Sequence, residues 1–161
     1  MRINSTAFFN QGAIPSNYTC EGANISPAIG WTEVPKSAKS LALVMDDPDA
    51  PVGTWAHWLI YNIPVDAKSL PSAVPPLETL THGALQGKNS FHKIGYTGPC
   101  PAPGHGVHRY FFRLYALNTI LAIPAGASRK ELDDAMKGHI VSRAELMGRF
   151  ERQLMRNKTI S

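Results

Sequence analysis

A chain of 161 residues with 43% apolar side chains is long enough for one sizeable core and has the composition of an ordinary globular domain. Thirteen Gly and thirteen Pro favour many turns and short strands over long helices. The formal net charge of +4 is modest, and with no basic–aromatic motif it argues against a nucleic-acid partner.

Met1 to Asn10 holds one basic residue and no continuous apolar stretch, so no secretory leader is expected. No apolar run approaches the ~20 residues that span a bilayer. The chain is therefore expected to be cytoplasmic, without integral membrane contact. Two cysteines, Cys20 and Cys100, do not make a disulfide framework. Two thiols are the default in a reducing cytosol. Each cysteine lies in a Gly/Pro-rich stretch, which leaves a single bridge open.

The first strong strand is Leu41–Met45, a continuous apolar run suited to burial on both sides. It leads into Asp46-Asp47-Pro48-Asp49-Ala50-Pro51, a stiff turn that holds three carboxylates at fixed positions. A tight turn of this kind invites a cis peptide, and Ala50-Pro51 is the candidate. The second strand, Trp55–Ile63, is rich in residues that favour β structure. Proline-rich connectors follow at Pro64, Pro71 and Pro75-Pro76, then the loop Gly95-Tyr96-Thr97-Gly98-Pro99-Cys100-Pro101. The third strand is His108–Leu117. Ser128-Arg129-Lys130-Glu131 fits a capping box, and Leu132, Ala135, Met136 and Ile140 recur at helical spacing, which predicts a helix from about Arg129 to His139. Ala144, Leu146, Gly148 and Phe150 alternate with polar or longer residues and predict a last strand. Residues 153–161 are expected to fray. Residues 129–161 carry eight Lys/Arg against five Asp/Glu, a solvated basic face rather than a polybasic run. These elements predict one mainly β domain over 1–161, a β-sandwich with a short C-terminal helix.

Alternation of side chains along a strand places His108 and Tyr110 on the face of Phe112 and Leu114, and Arg109 on the other. The same rule aligns Leu43, Met45 and Asp47. It groups Trp55, His57, Leu59 and Tyr61, and sets Trp58 opposite Trp55. Asp47, His57, His108 and Tyr110 thus converge from three strand ends into one polar pocket. The residue types suit acid–base work, but no Gly-x-Ser-x-Gly elbow, His-Glu-x-x-His pair or phosphate loop is present, so no enzyme activity is expected. Cys20, Cys100, His105 and His108 are zinc-ligand types, yet their spacing matches no standard finger, and neither metal nor other cofactor is expected.

Asp47-Pro48-Asp49-Ala50-Pro51, the His57 of Trp-Ala-His-Trp, Gly-Tyr-Thr-Gly-Pro-Cys-Pro (95–101) and Gly-Val-His-Arg-Tyr (106–110) resemble the signature blocks of the phosphatidylethanolamine-binding proteins, which include the Raf kinase inhibitor proteins. Tyr18–Pro27 and Ala135–Ile140 are similar to blocks of the bacterial and archaeal branch. The resemblance implies a sandwich of antiparallel sheets with an anion pocket at one end. Its ligand residues here are Asp47, His57, His108 and Tyr110, with backbone from Tyr96 and Gly98; Asp49, Pro51 and Pro99 shape the rim. It also brings the blocks of Cys20 and Cys100 to the pocket border, so that the sulfurs lie close; free thiols are the expectation. The segment 101–107 is longer than the matching loop of animal members, and nothing here matches their C-terminal helix over the pocket, so regulation of the animal kind is not expected. The function implied is non-catalytic binding of phosphate or a phospholipid headgroup. The alternative is inhibition of a protease or kinase. Bacterial relatives suggest a homodimer, with Phe8 and Phe9 as edge aromatics.

Overall fold

The computed structural model describes residues 1–153. The expected frayed tail lies outside the described residues from 154 onward. In chain order the elements are β1 (Arg2–Asn4), β2 (Gly12–Ala13), a 3-10 turn (Ser16–Tyr18), β3 (Ile29–Thr32), β4 (Ser40–Asp47), β5 (Trp55–Ile63), β6 (Ser69–Leu70), β7 (Leu85–Gln86), β8 (His108–Leu117), α1 (Arg129–Met136) and β9 (Ile140–Phe150). They form a small sheet ordered β1-β3-β6 and a large one ordered β2-β9-β8-β4-β5-β7. All pairings between strands are antiparallel except β2 with β9, which is parallel.

The large sheet is covered on both faces, which explains why every residue of β4 is buried. On one face Ile29, Trp31 and Leu70 of the small sheet pack against Leu43, Met45, Trp58, Ile60, Phe112 and Leu114. On the other, Leu121, Ala127 and the α1 residues Leu132 and Met136 cover Ala42, Val44, Leu59 and Tyr61. Leu132 and Met136 sit four apart and so share one helical stripe. Asp46 anchors the helix: its buried carboxylate accepts from Arg129 of α1 and from Arg113 of β8 at 3.3 Å.

The capping box is present, with Ser128 accepting from the Glu131 amide at 3.1 Å and Glu131 accepting from the Ser128 amide at 2.8 Å. The helix is shorter than the spacing predicts. Its last turn closes with Lys137 donating to the Asp133 carbonyl, and Gly138 then takes a left-handed φ of 82°, so Ile140 opens β9 instead. Ala50-Pro51 is trans, as are all other peptide bonds among the described residues. Pro51 occupies the second position of a turn closed by Gly53 N–H to the Ala50 carbonyl at 3.1 Å, a place a trans bond fits. Phe8 is not an edge aromatic; its ring packs 5.7 Å from that of Phe112 in the core, while Phe9 is 88% exposed. Nor are the thiols free. Cys20 and Cys100 are bonded to each other with their α-carbons 5.3 Å apart, because the Cys20 amide already donates to the Pro99 carbonyl at 3.1 Å and draws the two loops together.

Candidate functional site

A cleft of about 260 Å3 opens at the end of the large sheet where β4 finishes and β5 and β8 begin. Asp47, His57, His108 and Tyr110 all line it. His57 reaches it by a route that simple alternation misses. The β4–β5 register pairs Met45 with Trp58 but Asp46 with Ala56, so His57 is the extra residue of a β-bulge. The bulge resets the alternation. Trp55 and His57 therefore share the cleft side with Trp58 and Ile60, while Leu59 and Tyr61 face α1. Trp55 lines the cleft, and Trp58 lies fully buried beneath it.

The acidic turn works inward. Asp47 is 4% exposed, and both its carboxylate oxygens are engaged: Oδ1 accepts from the Asp49 amide at 2.8 Å, and Oδ2 accepts from His108 Nδ1 at 2.7 Å. Asp49 turns away and takes Arg109 in a two-pronged contact at 2.9 Å per bond. Those hydrogen bonds from Arg109 hold the Asp49 carboxyl below the usual carboxylate range. Arg109 thus faces outward, as expected. Pro51 lines the rim; Pro99 instead spends its carbonyl on the Cys20 amide.

His108 has no free ring nitrogen. With Nδ1 donating to Asp47, Nε2 lies 2.7 Å from Nδ1 of His105, a rim residue that also lines the cleft. His57 donates from Nδ1 to the Thr97 carbonyl at 2.6 Å, which leaves Nε2 as the acceptor of the neutral ring. Burial pulls the His57 pKa below the usual histidine value and so favours that neutral form. The Tyr110 pKa is pushed up, first by burial and then by the nearby Asp47 and Asp49 charges, so its hydroxyl keeps its proton. Tyr110 is 1% exposed and His57 3%; both line the cleft, and neither the hydroxyl nor His57 Nε2 has a protein partner among the described residues. The rings meet edge to face at 5.3 Å.

The loop expected to offer backbone amides works differently. The Gly98 amide donates to Asn24 Oδ1 at 2.8 Å, and a β-carbon at Gly98 would come 2.3 Å from the Tyr18 carbonyl. The glycine therefore serves close packing rather than ligand approach. Tyr96 points away as well: its hydroxyl donates to the Tyr18 carbonyl at 2.6 Å and its ring stands on Trp58. Neither residue lines the cleft. The loop contributes through Thr97, whose carbonyl orients His57. Buried Asn89 braces it by donating to the Gly95 carbonyl and to Thr97 Oγ1, both at 3.0 Å.

Phe91, Val52, Ala50, Pro101, Ala102 and His105 also line the cleft. Of these, Phe91 carries no sequence signal; it is placed by Asn89 Oδ1, which accepts from its amide at 2.9 Å. The sequence shows His105 only as a metal-ligand type. The disulfide takes both cysteines out of that set, and Cys100 contributes instead a covalent tie at the rim.

The family model for the phosphatidylethanolamine-binding protein matches residues 4–151. A UPF0098 protein of Methanothermobacter thermautotrophicus is 51% identical over 152 residues, covering 94% of this chain and 99% of its own. One from Aquifex aeolicus is 46% identical, covering 94% and 89%. Among solved structures, a putative homologue of the phosphatidylethanolamine-binding protein from Chlamydia trachomatis aligns with a TM-score of 0.85 at 38% identity, covering 94% of this chain and 97% of that one. E. coli YbcL, described as a member of the mammalian family, aligns with a TM-score of 0.87 at 30% identity, covering 94% and 98%.

Proposed function

The chain belongs to the phosphatidylethanolamine-binding protein family, and from that premise we propose that its cleft is a non-catalytic binding site for a small oxyanion, either phosphate or a phosphorylated headgroup. The observation that carries this reading is a donor and an acceptor in the cleft wall that the fold leaves unused among the described residues, the Tyr110 hydroxyl and His57 Nε2. Both residues line the cleft, so a ligand there meets a free donor and a free acceptor at no cost in hydrogen bonds of the fold. Their chemistry is complementary to an oxyanion that carries one proton. Tyr110 donates to a charged oxygen, and neutral His57 accepts from the acidic hydroxyl. Asp47 keeps its charge and so favours the less charged, protonated form of such a ligand; its two oxygens accept from the Asp49 amide and from His108 rather than from the ligand.

The lining supports binding over catalysis. Among the described residues it holds no serine, threonine or lysine, and its cysteine is bridged. The test is a titration with inorganic phosphate and with phosphoethanolamine, followed by amide NMR at pH 6 and pH 8, beside an assay for phosphomonoester hydrolysis. Shifts at His57, Phe91 and Tyr110 and no turnover are expected with both ligands, and phosphoethanolamine, a monoester whose last phosphate proton leaves at about pH 6, should bind more tightly at pH 6 than at pH 8. Equal phosphoethanolamine affinity at the two pH values would reject the shared proton. Absence of shifts at millimolar ligand would reject the oxyanion site and move a protein partner to first place.

A further inference from the structure

Resting on that oxyanion reading, we propose that His105 is a displaceable gate on the site, occupying the one nitrogen of His108 that an incoming anion would use. Asp47 fixes His108 as the ring that donates from Nδ1, so Nε2 must face the rim. His105 fills that position at 2.7 Å. The two partners differ in character. His108 is 4% exposed and set in a strand, whereas His105 is exposed and belongs to the loop between the disulfide at Cys100 and the start of β8.

Glycines on both sides, Gly104 at φ 75° and Gly106 at φ 94°, give this loop backbone conformations that other residues rarely adopt. A β-carbon at Gly106 would meet nothing within 4 Å, so the loop is unpacked at that point. The loop is anchored at its start by the bridge to Cys20 and at its end by β8, which confines that motion to the rim. The His105–His108 pair also lines a neighbouring cleft that holds Arg109 and Arg149, so it forms the partition between the two. With His105 withdrawn, His108 Nε2 turns to the ligand. There it accepts from an acidic phosphate hydroxyl. His105 thus competes with the anion for the same atom.

The experiment is a calorimetric titration with inorganic phosphate at pH 6 on wild type, His105→Ala and His105→Ala/His108→Ala. His105→Ala should bind about five-fold more tightly, the factor that one neutral hydrogen bond of ordinary net strength represents. The double variant should lose that gain. Wild type and His105→Ala binding equally would overturn the gate and leave the oxyanion site standing. Weaker binding by His105→Ala would also overturn it, making His105 a ligand donor. No binding by any variant would fail the oxyanion reading itself, and the gate with it. Ring 15N shifts of phosphate-free protein supply the second readout. His108 Nε2 should move when His105 is removed, and an unmoved resonance would overturn the contact.

Discussion

Replacing Tyr110 by Phe separates ligand binding from stability at this site. Tyr110 sits in β8 opposite Gly148, with the His57 ring edge-on at 5.3 Å and the His108 ring stacked at 6.3 Å. Phe preserves those ring contacts and removes one oxygen. That oxygen, in the cleft wall, has no protein partner among the described residues, so its loss breaks no hydrogen bond of the fold. Removing a hydroxyl that faces the cleft and bonds no protein group is close to neutral for stability. Binding should respond in the opposite direction. A hydrogen bond to a charged acceptor contributes about 1.5–3 kcal/mol, so phosphate affinity should fall roughly ten- to a hundredfold. Burial keeps the hydroxyl protonated, so the loss should be the same at pH 6 and pH 8. Calorimetric titration with phosphate measures the affinity, and urea denaturation measures the stability. Unchanged affinity would remove Tyr110 from the ligand contacts. A loss of more than about 1 kcal/mol in stability would refute the claim that its hydroxyl is unpaired in the fold.

The remaining predictions concern stability. The Cys20–Cys100 bridge closes a loop of 80 residues, which on the chain-entropy model stabilises by about 4–5 kcal/mol as an upper bound. Cys100→Ser should lower the urea midpoint accordingly and make it insensitive to reductant; an unchanged midpoint would mean that the bridge does not form in solution. Asp46→Ala should cost about 2 kcal/mol, below the full penalty for a broken buried pair because both its arginines keep roughly a quarter of their side-chain surface in water. Denaturation at neutral pH checks it, and a stabilised variant would contradict the anchoring role. For His57, burial lowers the folded pKa, so between that value and about 6.5 the unfolded chain holds more protons. Its contribution is complete above about pH 6.5 and is lost as the pH falls through the folded value, with a slope of at most about 1.4 kcal/mol per unit. His57→Phe should flatten that limb of the stability profile, and identical profiles for the two proteins would refute the assignment.

The parts of this architecture that could be read from the sequence are those where one local pattern persists. β4 declares itself because five successive apolar residues can only be buried on both faces, and β8 because His108, Tyr110, Phe112 and Leu114 alternate without a break. The site is legible to the same degree. Asp47 terminates a strand of known parity, and His108 and Tyr110 start another. What was hidden lies where a pattern is interrupted by something distant. A β-bulge inserts His57 between Ala56 and Trp58 with no change in residue type to announce it, because a bulge is a property of the register between two strands. Phe91 enters the cleft through hydrogen bonds organised by Asn89, and Gly98 is glycine because Tyr18, eighty residues earlier, presses on it. His105 stands three residues before His108, but their contact depends on how the intervening Gly106 turns. The bulge carries the most functional weight of these. Uninterrupted alternation would send His57 to the α1 face with Leu59 and Tyr61, and the cleft would keep Tyr110 but lose the acceptor opposite it. The mixed donor and acceptor character of the site therefore arises from a single extra residue in β5.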